Sequence, residues 1–137
     1  MIILIRVCDL LKICLTSLMY LVKIKIKIQQ GSHIAFGPGK AELLKAISSE
    51  GSISGAAKTM NMSYKRAWDL VMVMNASFKE SLVTTVIGGS HGGGAMLTQF
   101  GHDVLKEYLE IQSKSERYVL SEMDNFLSTL APVSDVK

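Results

Sequence analysis

The chain has 137 residues, the length of one domain with at most a short appendage, which excludes most multi-domain enzymes. Its 48% apolar and 20% charged residues are the balance of a folded globular chain and exclude wholesale disorder. A formal net charge of +3 is too small to argue for nucleic acid by itself, but it is unevenly placed: residues 1–35 carry +4, residues 36–82 carry +2 and residues 83–137 carry −3.

The opening stretch MIILIRVCDLLKICLTSLMYLV is the most apolar of the chain. Arg6, Asp9 and Lys12 interrupt it, and the run from Ile13 to Val22 is about half the ~20 residues a bilayer core requires, so no stable membrane insertion is expected. Neither the charge order nor the small-residue cleavage site of a signal peptide is clear. Three readings of residues 1–18 remain: an extension from a misassigned start, with translation beginning at Met19; a weakly membrane-associated helix; or an ordinary docked helix. Cys8 and Cys14 have neither C-x-x-C spacing nor a second pair, so no disulfide framework or zinc site is expected. A reducing, cytoplasmic location is the expectation.

From Tyr20 the run Leu21-Val22-Lys23-Ile24-Lys25-Ile26-Lys27-Ile28 alternates apolar residues with lysine, the period-2 pattern of a half-buried strand with a solvated face. Gly31-Ser32-His33 reads as a turn, Ile34-Ala35-Phe36 as a short return strand, and Gly37-Pro38-Gly39 as the lead-in to a helix over 40–50, whose Leu43, Leu44 and Ile47 share a face and which Gly51 stops. Ser52 or Ser54 caps a second helix, where Gly55-Ala56-Ala57 offers a nearly side-chain-free surface for a neighbour. After a tight turn at Asn61-Met62, Ser63 is the N-cap of a longer helix to about Phe78, its core face set by Ala67, Leu70, Val71, Met74 and Phe78. Residues 82–87 and 95–97 read as strands flanking the glycine-rich loop 88–94. Thr98 caps a final helix running to Pro132, and its length suggests dimer packing.

Helix, tight turn, longer helix and a hairpin with a glycine-rich tip make the layout of a winged helix-turn-helix, in a mainly α chain with small β-hairpins. In such a pair the second helix presents its N-terminal residues to the major groove, and the free N–H groups and dipole there favour phosphate. Lys65 and Arg66 are the candidate phosphate or base contacts, Ser63 and Tyr64 hydrogen-bond to backbone or bases, Ser54 and Lys58 anchor phosphate from the preceding helix, and Ser90 and His91 make wing contacts. For Trp68, which flanks the apolar face, core packing is favoured over contact with DNA.

The run from Phe36 to Thr98 resembles the N-terminal DNA-binding domain of the ModE-type molybdate-responsive transcriptional regulators, which share a winged-helix plan with the LysR-type regulators. The resemblance lies in Phe36-Gly37-Pro38-Gly39-Lys40-Ala41-Glu42-Leu43-Leu44, in Gly51-Ser52-Ile53-Ser54-Gly55-Ala56-Ala57-Lys58, in Met62-Ser63-Tyr64-Lys65-Arg66-Ala67-Trp68, in Met74-Asn75, and in the wing segment from Gly92 to Thr98. It implies that the strand before the first helix begins soon after the initiator methionine, which fits Met19 as the start. It also implies that the chain ends at Lys137 before the module that binds molybdate, so no molybdate binding is expected from this chain alone.

The expected organisation is an extension over 1–18, a winged helix-turn-helix over 19–98, a dimerisation helix over 99–132 and a tail over 133–137. Gly88-Gly89-Ser90-His91-Gly92 fits a hydrolase nucleophile elbow, but the acid and later histidine that such an enzyme needs downstream are missing, since the last histidine is His102. No P-loop is present, and His33, His91 and His102 are dispersed, so no catalytic residue, metal or cofactor is expected. The function expected is a homodimeric, sequence-specific transcriptional regulator bound to double-stranded DNA. The alternative is a dimeric protein-interaction module of the same fold.

Overall fold

A computed structural model describes residues 20–87 and 93–131. The expectations for residues 1–18, for Ser90 and His91, for Pro132 and for the tail lie outside these described residues. Two compact units divide the chain: one spans Lys25–Ile111, and the other takes in residues 20–24 and 112–131 of those described.

The first unit opens on a hairpin of β1 (Ile28–Gln30) and β2 (His33–Phe36), antiparallel and turned at Gly31-Ser32, with Gly31 at φ 60°. The lysine-alternating run was expected to be a strand from Leu21 to Ile28, and this is corrected: residues 20–27 join no ladder. The alternation survives as exposure, with Lys23, Lys25 and Lys27 out and Val22, Ile24 and Ile26 partly covered. The ladder stops at Ile28 because its partner stops: Ile28 is paired with Phe36, and the next residues, Gly37 and Pro38, turn into a helix. Period-2 patterning reports an extended chain with one face covered, and pairing needs a neighbour as well.

Helix α1 (Pro38–Glu50) starts on a proline whose fixed φ and missing N–H suit the first helical position. It ends at Gly51, where φ is 66° and the N–H bonds the Ile47 carbonyl. Ser52, not Ser54, caps α2 (Ile53–Thr59), accepting the Gly55 N–H at 3.0 Å. Asn61 takes a left-handed φ of 52° in the turn, which asparagine tolerates better than most residues. Ser63 then caps α3 (Tyr64–Ser77) by accepting the Arg66 N–H at 3.2 Å. These caps satisfy helix-end N–H groups that have no intrahelical partner.

Strands β3 (Val83–Val86) and β4 (Gly94–Leu97) form the antiparallel wing, with Val83 opposite Leu97 and Val86 opposite Gly94. Helix α4 (Gln99–Glu122) follows, its start capped by the Thr98 hydroxyl, which accepts the Gly101 N–H at 2.9 Å. The core is built from Phe36, Leu43, Leu44, Ile47, Val71, Met74 and Leu82, all at most 2% exposed, around the small Ala56, Ala57 and Ala67. Phe36 meets the rings of Phe78 and Tyr108 edge-on at 5.7 and 5.0 Å. This is a winged helix-turn-helix.

The final helix is shorter than its apolar spacing suggests. It stops at Glu122, Met123 leaves helical geometry with φ −95° and ψ 4°, and a four-residue helix α5 (Asp124–Leu127) follows. Met123 N–H bonds the Leu120 carbonyl, a tightened last turn. Asp124 and Asn125 disfavour a helix interior, and Asp124 instead occupies the first turn of a new helix, where its charge suits the dipole.

Candidate nucleic-acid interface

Three elements of the first unit converge: the start of α2, the start of α3 and the wing. Small residues let α2 sit close to its neighbours: Ala56 and Ala57 are buried, and a Cβ on Gly55 would lie 2.9 Å from the Glu50 side chain at the end of α1. Side-chain and main-chain bonds then fix the wing. Asn75, near the end of α3, accepts the Leu82 and Val83 N–H groups at 2.9 and 3.1 Å and donates to the Val83 carbonyl at 2.9 Å. The Ala95 N–H of β4 bonds the Gly51 carbonyl at 2.9 Å, which ties the wing to the turn between α1 and α2.

The first turn of α3 is open to solvent. Ser63, Tyr64, Lys65 and Arg66 are all exposed there, beside helix-end N–H groups, so donors and positive charge coincide. Lys65 pairs with Asp69 at 2.7 Å, but its side chain is 84% exposed. A lysine placed before its acid at i,i+4 is the weaker orientation, and a surface pair of this kind contributes little, so the ammonium is available to a stronger anion. Arg66 makes no ion pair among the described residues; with Lys27 and Lys40 it lines an open pocket of about 230 Å³ whose lining also includes Met62 and Leu70.

Tyr64 and Trp68, one turn apart, stack at 6.2 Å with their planes 26° from parallel. They form one wall of an open cleft of about 380 Å³, whose other walls include Ser54, Thr85 and Val86, and among the described residues no charged side chain lines it. Trp68, for which core packing was favoured, both packs against the core and faces this cleft. Thr85 and Val86 are expected from the sequence only as strand residues, and the i,i+4 spacing of Tyr64 and Trp68 is the one local signal that could have marked a stacked aromatic wall there. Of the expected contacts, Ser54 and Tyr64 both line the cleft, whereas Ser63, Lys65 and Arg66 do not and line a separate open pocket with Asp69, Leu70 and Val73. Lys58 is exposed in the last turn of α2 and does not line the cleft.

Lys40 is the buried charge of this unit. Its Nζ donates to the Ile34 carbonyl and, at 3.0 Å, to the Ala35 carbonyl, bracing α1 against the hairpin; burial pushes its pKa below the ordinary lysine value. Tyr108 donates its hydroxyl to the Ile26 carbonyl at 2.8 Å, and burial raises its pKa above the ordinary tyrosine value. Lys40 thus holds the hairpin, and Tyr108 holds the extended segment before it.

No family model matches the chain. It is 39% identical over 113 residues to the molybdenum transport protein ModE of Azotobacter vinelandii, covering 81% of this chain and 41% of that protein. It is 40% identical over 93 residues to the DNA-binding transcriptional dual regulator ModE of Escherichia coli K12, covering 66% and 35%. With the transcriptional regulator ModE of Haemophilus influenzae the identity is 36% over 115 residues, covering 80% and 44%. The chain spans less than half the length of these relatives.

Proposed function

Because the chain carries a winged-helix domain of the ModE type, we propose that it binds double-stranded DNA sequence-specifically as a homodimer and regulates transcription. The observation that carries this reading is the exposed first turn of α3, where Ser63, Tyr64, Lys65 and Arg66 present donors and positive charge at a helix N-terminus. Lys65 and Arg66 contact phosphates or bases, Ser63 and Tyr64 hydrogen-bond beside them, and Ser54 and Lys58 anchor phosphate from α2. Ser90 and His91, which lie in the sequence between β3 and β4, are proposed as wing contacts. Tyr118, Phe126 and Leu130 are exposed in the second unit and support a dimer through the C-terminal segment, which would set two α3 helices in successive major grooves about 34 Å apart. No enzymatic activity and no molybdate binding are ascribed to these residues.

The test is a titration of duplex DNA from the chain's own promoter region over a range of salt concentrations. The logarithm of affinity should fall linearly with the logarithm of salt, and Arg66→Ala or Lys65→Ala should each reduce the slope by about 1. Slopes unchanged in both variants would remove α3 as the reader. Absence of salt-dependent affinity for any duplex would leave the interaction-module reading in its place.

A further inference from the structure

We infer that the uncharged cleft between α2, α3 and the wing grips one sugar–phosphate strand of the duplex by its deoxyribose faces and neutral hydroxyl contacts, an inference that rests on the DNA reading above. If the start of α3 enters a major groove and the wing follows the adjoining minor groove, the strand dividing the two grooves has to pass between those elements. The cleft of about 380 Å³ lies there.

Its lining fits that occupant. Ser54, Tyr64 and Thr85 supply three hydroxyls able to donate to phosphate oxygens, and Trp68, Val86 and Ile87 supply apolar surface suited to the carbon faces of a sugar. Among the described residues no lysine, arginine or carboxylate lines it; Lys65 and Arg66 follow Tyr64 in the first turn of α3 and line a separate open face of that helix, so an anionic strand is drawn to α3 while its apolar sugar edges are received in the cleft. Contacts of this kind displace no counterion, so the cleft adds affinity without adding salt dependence.

The chain has a single tryptophan, and it is in this cleft, so Trp68 emission reports occupancy directly. The full chain is titrated with a mixed-sequence DNA duplex at low ionic strength, and separately with inorganic polyphosphate, while acrylamide quenching of Trp68 is followed. Duplex should protect Trp68 from the quencher, and polyphosphate, which carries the charge without the sugar, should not. Equal protection by both, or no protection while duplex is bound, overturns the inference; so does protection that appears with protein concentration alone, which would place a second copy of the chain in the cleft. Tyr64→Phe combined with Thr85→Val keeps the ring stack and the strand shape and removes two hydroxyls. This variant should keep the wild-type urea midpoint, bind duplex about tenfold more weakly and retain the wild-type salt slope. Unchanged affinity, or a slope that falls as for Arg66→Ala, contradicts the inference while leaving DNA binding intact. Failure of the wild-type chain to bind any duplex removes the DNA reading, and the inference with it.

Discussion

Replacing Asn75 by alanine isolates the bonds that hold the wing to α3. The amide accepts two N–H groups, from Leu82 and Val83, and donates to the Val83 carbonyl, all within 2.9–3.1 Å, and both wing residues are at most 2% exposed. A protein hydrogen bond contributes about 0.5–1.5 kcal/mol net, and a buried group stripped of its partner costs about 1–3 kcal/mol. Three bonds in a half-buried setting therefore sum to about 2–4 kcal/mol, a large part of the ~5–15 kcal/mol that stabilises a domain. Urea unfolding followed by circular dichroism should show the midpoint lowered by about 1–2 M at unchanged slope. Asn75→Asp keeps the acceptor for both N–H groups and sets a carboxylate against the Val83 carbonyl, so it should recover part of the loss. A loss below about 0.5 kcal/mol for Asn75→Ala, within the range of an ordinary surface substitution, would refute the assignment.

Gly101→Ala should be strongly destabilising, because its Cβ would collide with the Leu82 carbonyl oxygen and come within 3.0 Å of the Leu82 carbonyl carbon; a melting temperature equal to the wild type would show that α4 can move away without cost. Two buried groups make stability respond to alkaline pH with opposite signs. Lys40 has a lowered folded pKa, so the unfolded chain binds more protons between the two values and stability rises with pH through that window. Tyr108 has a raised folded pKa, so its contribution is full below the unfolded value and is lost as pH rises through the folded one. In Lys40→Met only the alkaline fall should remain, and in Tyr108→Phe only the rise; denaturant midpoints measured across the alkaline range would separate them.

The helix-turn-helix was legible because its signals are local. Ser52, Ser63 and Thr98 cap helices by bonds to residues three positions on, and Gly51 ends α1 with its own backbone. The wing strands were placed to within about one residue for the same reason. The β1–β2 pairing was not legible from the lysine alternation, because a ladder is decided by how long the partner strand lasts, and Pro38 ends it. The break at Met123 was hidden by apolar spacing that continues through it; the counter-signal was Asp124-Asn125, which favours a new helix start. At the candidate interface, the charged residues announced themselves by type. Thr85 and Val86 could be seen as part of a cleft only once Asn75 and the Ala95 to Gly51 bond had set the wing's position, and those contacts join residues far apart in sequence.

The bond from Ala95 to Gly51, together with Asn75, ties the wing to the helix pair at two points and on two sides. Under the DNA reading, these two ties set the distance from α3 to the base of the wing. Control through presentation would act on how many such domains meet a duplex and at what spacing. A substitution that loosens either tie would blur the registration of the two grooves rather than turn binding on or off.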